Sequence, residues 1–195
     1  MRKLITLYLF LLCCAVSSQT QSHSFNVIHR GNLLGTLEAS KTTNEGEINY
    51  QSHTEIEFNL LIEVPLVYNY NVTFIDGLLK DAKAHITLRG KDKTKVRTVK
   101  EDNRYWFYSN EKLKKEIYTP INNSVIQLVL EEPINVRTIY AEEHGDFHNL
   151  EKIGEHIYLK RAPNGSESKY YYKNGLLQKS EVDTGIIKFT IVRKE

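Results

Sequence analysis

Between Ile48 and Val64 the chain alternates between apolar and polar positions. The even positions read Ile48, Tyr50, Ser52, Thr54, Ile56, Phe58, Leu60, Ile62 and Val64, and the odd ones Asn49, Gln51, His53, Glu55, Glu57, Asn59, Leu61 and Glu63. Successive strand side chains point to opposite faces, so this pattern predicts one long strand with a buried face and a wet face. One-sided burial belongs to antiparallel sheets, because parallel sheets are covered on both faces. Pro65 is expected to break the ladder, and Tyr68, Tyr70, Val72 and Phe74 resume the alternation on a second strand.

Turn signals punctuate the rest of the chain: Gly31-Asn32, Asp76-Gly77 and Asn174-Gly175. Asp-Gly and Asn-Gly accept positive φ at both central positions of a tight hairpin turn. Further strands are expected at Phe25–Arg30, Leu33–Thr42, Lys80–Arg89, Lys95–Glu101, Arg104–Tyr108, Ile134–Tyr140, His156–Arg161, Ser168–Lys173, Leu176–Asp183 and Ile186–Arg193. Strands at this spacing predict an all-β fold, an antiparallel meander forming a barrel or half-barrel, with a sandwich as the other way to cover the apolar face. At most one short helix is expected, at Ser124–Glu132, with Ser124 as N-cap, Val125, Leu128 and Val129 on one face, and Pro133 as the stop. A buried strand fits the same short run.

The amino terminus carries a different signal. Arg2 and Lys3 precede an uncharged apolar run from Leu4 to Ala15, and small residues follow at Val16, Ser17 and Ser18. This is the order of a cleavable export signal, and the run is shorter than the roughly 20 residues a membrane-spanning helix needs. Residues 1–18 are therefore expected to be a signal peptide, cut before Gln19, and 19–195 a single β-rich domain with no transmembrane anchor. Both cysteines, Cys13 and Cys14, go with the signal, which excludes disulfides and cysteine-ligated zinc in the mature domain. A cysteine-free exported domain points to the periplasm or exterior of a Gram-negative bacterium, where disulfides are less general than on a eukaryotic secretory route.

Charge narrows the partners. The chain has 26 basic and 24 acidic residues; the signal removes Arg2 and Lys3 and leaves the two counts equal. A nucleic-acid binder would carry a basic face, so none is expected. The basic cluster Lys91, Lys93, Lys95, Arg97 and Lys100 is interleaved with Asp92 and Glu101 and reads as a solvated hairpin whose lysines discourage edge pairing.

In the carboxy-terminal half, Glu132-Pro133, Tyr140, Glu143, Gly145, Phe147 and Leu150 lead into HIYLKRAPNGSESKYYYKNGLLQ. Together with the opening FNVIHRGNLLGTLEASK, which holds Gly31 and Gly35, this text resembles the domain of unknown function 6134, a family of exported β-rich proteins found mostly in Bacteroidota. The resemblance spans nearly the whole mature chain and implies a fold and a compartment. It brings neither an established activity nor catalytic residues.

Candidate chemistry is sparse. His144, Asp146 and His148 would share a face of an extended segment, as two imidazoles and a carboxylate on zinc require, but Gly145-Asp146 also reads as a plain turn. The carboxylate pairs Glu131/Glu132 and Glu142/Glu143 could serve a glycosidase only if members of different pairs converge, since neighbours on a strand face apart. No G-x-S-x-G elbow exists, so no catalytic residue is assigned and no cofactor expected. The long apolar face instead suggests a concave surface for an apolar or amphipathic ligand such as a lipid, along Ile56, Phe58, Leu60, Tyr68 and Tyr70. The alternative is a filled barrel acting structurally or on an envelope protein, and a carboxylate- or metal-dependent hydrolase is the third reading.

Overall fold

A computed structural model of the chain describes residues 18–59, 63–183 and 188–194, and of residues 58, 59, 63 and 64 the backbone only. Most of the expected signal, and Leu60 among the expected ligand contacts, lie outside the described residues. In chain order the strands are β1 (Gln19–His29), β2 (Asn32–Asn44), β3 (Glu47–Asn59), β4 (Glu63–Ile75), β5 (Leu78–Leu88), β6 (Lys91–Glu101), β7 (Arg104–Ser109) and β8 (Lys112–Ile117). A one-turn helix, α1 (Gln127–Leu130), follows, then β9 (Thr138–Ala141), β10 (Asp146–Gly154), β11 (Ile157–Arg161), β12 (Glu167–Lys173), β13 (Leu176–Asp183) and β14 (Lys188–Arg193). All fourteen strands form one antiparallel meander, in which β1 also pairs with β14, so the sheet runs from β8 through β1 to β14 and on to β9.

The hairpin chemistry behaves as the dipeptides predict. Asp76 and Gly77 have φ of 51° and 75°, and Asn174 and Gly175 have 54° and 76°. In the first hairpin the central pair is Arg30-Gly31, with φ of 49° and 82°, and not Gly31-Asn32: Asn32 already pairs with His29. The glycine takes the second central position, which demands the larger positive φ.

The predicted strand Ile48–Val64 is two strands. Asn59 pairs with Glu63, Phe58 with Val64 and Glu57 with Pro65, so the alternating text belongs to two antiparallel strands. Pro65 does not break the ladder. Its carbonyl accepts from the Arg89 N–H at 2.9 Å, and a strand residue's nitrogen points the same way as its carbonyl. The missing N–H thus falls at the end of the β4–β5 ladder, where a proline is tolerated.

The inner face is filled by Phe25, Val27, Tyr50, Val72, Leu79 and Tyr105 from one half of the sheet and by Tyr158, Tyr170, Leu177 and Ile191 from the other. Between them lies the segment 118–137, whose Ile121, Ile126, Leu128 and Leu130 are each at most 4% exposed. It is stitched to the sheet at one end of the roll: Leu79 N–H to the Ile121 carbonyl at 2.9 Å, Tyr172 hydroxyl to the Leu128 carbonyl at 2.7 Å, and Glu132 N–H to the Gly175 carbonyl at 3.1 Å. At the opposite end only hairpin turns and short loops join the described strands.

The two edges overlap without pairing. Ile139, Tyr140 and Ala141 of β9 are all buried, which an ordinary strand with one wet face would not allow. Tyr140 reaches Thr98 of β6, the ring of Phe107 on β7 lies against Gly145, and Lys115 of β8 bonds the Gly145 carbonyl at 3.0 Å and pairs with Asp146. The sheet therefore rolls so that β9 and the β9–β10 turn tuck under β6–β8.

Ser124 is not a helix cap. Val125 N–H bonds the Tyr140 carbonyl and Tyr140 N–H the Asn123 carbonyl, both at 2.9 Å, so the free backbone groups along the β9 edge draw residues 123–125 into a bridge and leave only one helical turn, capped by Ile126 without a side-chain bond. The strand expected from Ile134 starts only at Thr138, since Asn135 has φ of 61° and Ile134 is exposed. β8 and β10 carried no clear sequence signal. In β8 five of six residues are exposed, as suits a lysine-rich sheet edge.

Candidate binding face

The expected ligand contacts separate by register. On the inner face Phe25, Leu37, Thr54, Tyr68 and Ile86 stand in one row across β1–β5, and Ala39, Ser52, Tyr70 and Ala84 in the next. Ile56 is 1% exposed and belongs to this face; Tyr68 and Tyr70 are half-buried and pack against the core. Phe58 lies on the same face of β3 by alternation, with only its backbone described.

The Tyr70 hydroxyl donates to Glu143 at 3.2 Å. Burial, with Glu143 and Glu142 nearby, pushes the Tyr70 phenol well above its usual range, and burial beside Glu143 lifts Tyr68 to about 12. Glu142 is 3% exposed and accepts the Ile126 N–H at 3.0 Å; burial raises its pKa, opposed by that bond, Ser124 and Lys160. The β9–β10 turn thus delivers two carboxyl groups to the interior.

Glu131 and Glu132 diverge. Glu131 receives the Tyr50 hydroxyl and pairs with Lys41 at 3.0 Å, whereas Glu132 accepts from Tyr158 at 2.8 Å and bonds His156 at 3.0 Å. Burial works against ionisation of Glu132, but the His156 and Tyr158 bonds outweigh it and hold the carboxyl below its usual range. Each acid anchors the 118–137 segment to a different part of the sheet.

His144, Asp146 and His148 do not gather as a metal would need. The two imidazoles lie 5.9 Å apart, His144 is exposed, and Asp146 is engaged by Lys115. Among the described residues no group of three or more His, Cys, Asp or Glu could hold a metal ion. His148 is 4% exposed with Nδ1 unpartnered, and burial, reinforced by Lys160 and His144, lowers its pKa to about 4.

The structure adds residues that the sequence reading passed over. Arg193 lies two positions beyond Ile191 in a short alternating strand, and pairs with Phe25. Its Nη2 donates to His23 Nδ1 at 2.8 Å, while Nη1 is buried without a partner. Ser180, paired with Ile191 on the same face, is 1% exposed and its hydroxyl is also unpartnered. The spacing Phe189, Ile191, Arg193 was the available signal: an arginine in phase with two apolar residues.

Two grooves lie on the outer, polar face. One of about 560 Å³ crosses β1–β5 over Ser40, Gln51, His53, Asn69, Asn71 and Lys83; another of about 410 Å³ runs over Arg30, Lys169, Glu181 and Lys188. Neither is apolar.

Fold and site together define an all-β, barrel-like protein whose rolled sheet has one end plugged by its own chain. The chain belongs to the family of the domain of unknown function DUF6134, whose model matches residues 25–194. It is similar in fold to a β-barrel-like protein of the domain of unknown function DUF1849 from Brucella abortus, with a TM-score of 0.60 at 7% identity, covering 92% of this chain and 97% of that one. No curated protein matches the sequence.

Proposed function

We propose that this is an exported, periplasmic or extracellular protein of a bacterial envelope that holds an amphipathic molecule against the inner face of its rolled sheet. The observation that carries the reading is the asymmetry of the interior. The 118–137 segment packs one end, while the apolar rows through Leu37, Ile56 and Ile86 continue toward the end joined by turns alone. Tyr68 and the Tyr70–Glu143 pair supply polar groups beside those rows. Export is supported by the Arg2–Ala15 signal pattern, and β1 opens at Gln19, the first residue after the expected cut.

Native mass spectrometry of protein secreted through its own signal tests both parts. A mature chain beginning at Gln19 with one bound amphiphile is the expected result. Protein that is recovered bare and takes up no added single-chain amphiphile removes the carrier reading. A second reading, an interaction domain with a filled core, is favoured by the packed 118–137 segment and the polar groove over β1–β5; it predicts a specific crosslinked envelope protein.

A further inference from the structure

We infer that Arg193 is the receptor for an anionic group, a carboxylate or phosphate, on the inner face of the sheet. The inference deepens the proposed function by assigning the class of headgroup, and it rests on that reading only for the apolar tail.

A guanidinium stays charged at any working pH and carries five N–H donors. In Arg193 one nitrogen donates to His23 Nδ1 at 2.8 Å and Nη1 is buried with no acceptor. Among the described residues no carboxylate lies within ion-pair distance of it, although fourteen such pairs form elsewhere. Arg193 is half-buried, and a charged donor nitrogen buried without compensation costs free energy, a cost that an acceptor from outside the chain would relieve on this face.

The surroundings are built to keep the cation free. Because Arg193 donates to Nδ1, His23 is held as the neutral ring with its proton on Nε2, and the Gln21 amide 2.7 Å away accepts that proton only with its oxygen turned toward the ring. Burial and then Arg193 itself lower the His23 pKa, in keeping with a neutral partner. The unpartnered Ser180 hydroxyl stands on the neighbouring strand, paired with the residue two before Arg193, and offers a neutral donor. Phe25, Leu37 and Ile191 around this position are buried and apolar. An anion with an acyl or alkyl chain matches that set, and the two-pronged geometry of the guanidinium suits carboxylate and phosphate oxygens alike.

The test titrates the mature protein and Arg193→Gln with n-dodecanoate, n-dodecyl phosphate, n-dodecanol and inorganic phosphate, following calorimetric binding and melting temperature. Wild type should bind at least one dodecyl anion about tenfold more tightly than dodecanol, and the variant should lose that preference while keeping its affinity for dodecanol. The two anions distinguish a fatty-acid-like from a phosphate-bearing ligand. Inorganic phosphate should raise the melting temperature of wild type but not of the variant. Equal binding of alcohol and anions by wild type overturns the inference without needing a folded variant, as does a preference that survives in Arg193→Gln. If no dodecyl compound binds and phosphate still stabilises wild type alone, the amphiphile reading falls and the anion site stands. If phosphate and both anions leave wild type unchanged, the site itself is refuted.

Discussion

Tyr140 on β9 and Thr98 on β6 share a hydrogen bond of 2.6 Å, although β9 is one edge of the fourteen-stranded sheet and β6 stands third from the other. Both residues are at most 1% exposed. The bond can exist only because the sheet rolls past closure and lays one edge beneath the other. Edge strands left open invite pairing with other chains, and here β9 is protected by overlap and β8 by its lysines.

If that bond holds the overlap, removing either hydroxyl leaves the other buried and unsatisfied. Tyr140→Phe and Thr98→Val are each expected to cost about 1–3 kcal/mol in urea unfolding. The double variant should cost less than the sum of the two, because no orphan remains. Strict additivity would show that the two groups do not support each other.

Gly145 meets the overlap at a second point. It has φ of 65°, and a Cβ there would stand 2.6 Å from Cγ of the Phe107 ring. Gly145→Ala should therefore lose about 2 kcal/mol or more, from the left-handed backbone and the clash together. Adding Phe107→Leu should recover part of the loss, since it relieves the clash alone. A stability equal to wild type in Gly145→Ala would mean that β7 does not pack on the β9–β10 turn.

The alternation of β3, the Asp-Gly and Asn-Gly hairpins and the antiparallel meander were legible because each depends on residues close in sequence. The division of the alternating run into β3 and β4 was not, because Leu60-Leu61-Ile62 continues the apolar text and contains no residue suited to a turn. Nor could the burial of both faces of β9 be read, since it follows from contact with strands thirty or more residues away. The candidate face was half legible: Ile56 and Tyr70 do face inward, whereas Glu142, Glu143 and Arg193 enter the same interior from distant elements. A lone arginine in a strand usually points to water, and only the register beside Phe25 reveals otherwise.

Two interior groups should oppose each other on acidification. His148 titrates at about 4 when folded against 6.5 for an unperturbed imidazole, so between those values the unfolded chain binds a proton that the folded chain refuses. Its contribution to stability is intact above pH 6.5 and is lost as the pH falls toward 4. Glu142 is raised above 4.5, so the folded chain takes its proton first, and acidification relieves the cost of burying the charge. His148→Leu should make the fall in urea midpoint between pH 7 and pH 5 shallower. Glu142→Gln, whose amide oxygen can still accept the Ile126 N–H, should be more stable than wild type at pH 7 and decline more steeply below it.

The plug offers the last test, because it decides whether segment 118–137 belongs to the core or merely occupies it. Leu128 is 1% exposed, and its carbonyl accepts the Tyr172 hydroxyl at 2.7 Å, so side chain and backbone are both committed to the sheet. Leu128→Ala should cost about 2–5 kcal/mol, the range for emptying a packed leucine site. Unfolding should stay a single transition by tryptophan fluorescence and circular dichroism, since the segment shares hydrogen bonds with β5, β12 and the β12–β13 turn. A loss below about 0.5 kcal/mol, the range of an ordinary surface substitution, or amide exchange across 121–130 as fast as in the exposed turns, would mark the segment as a detachable lid. A detachable segment would make the plugged end a route into the interior, and a rigid one would rule that route out.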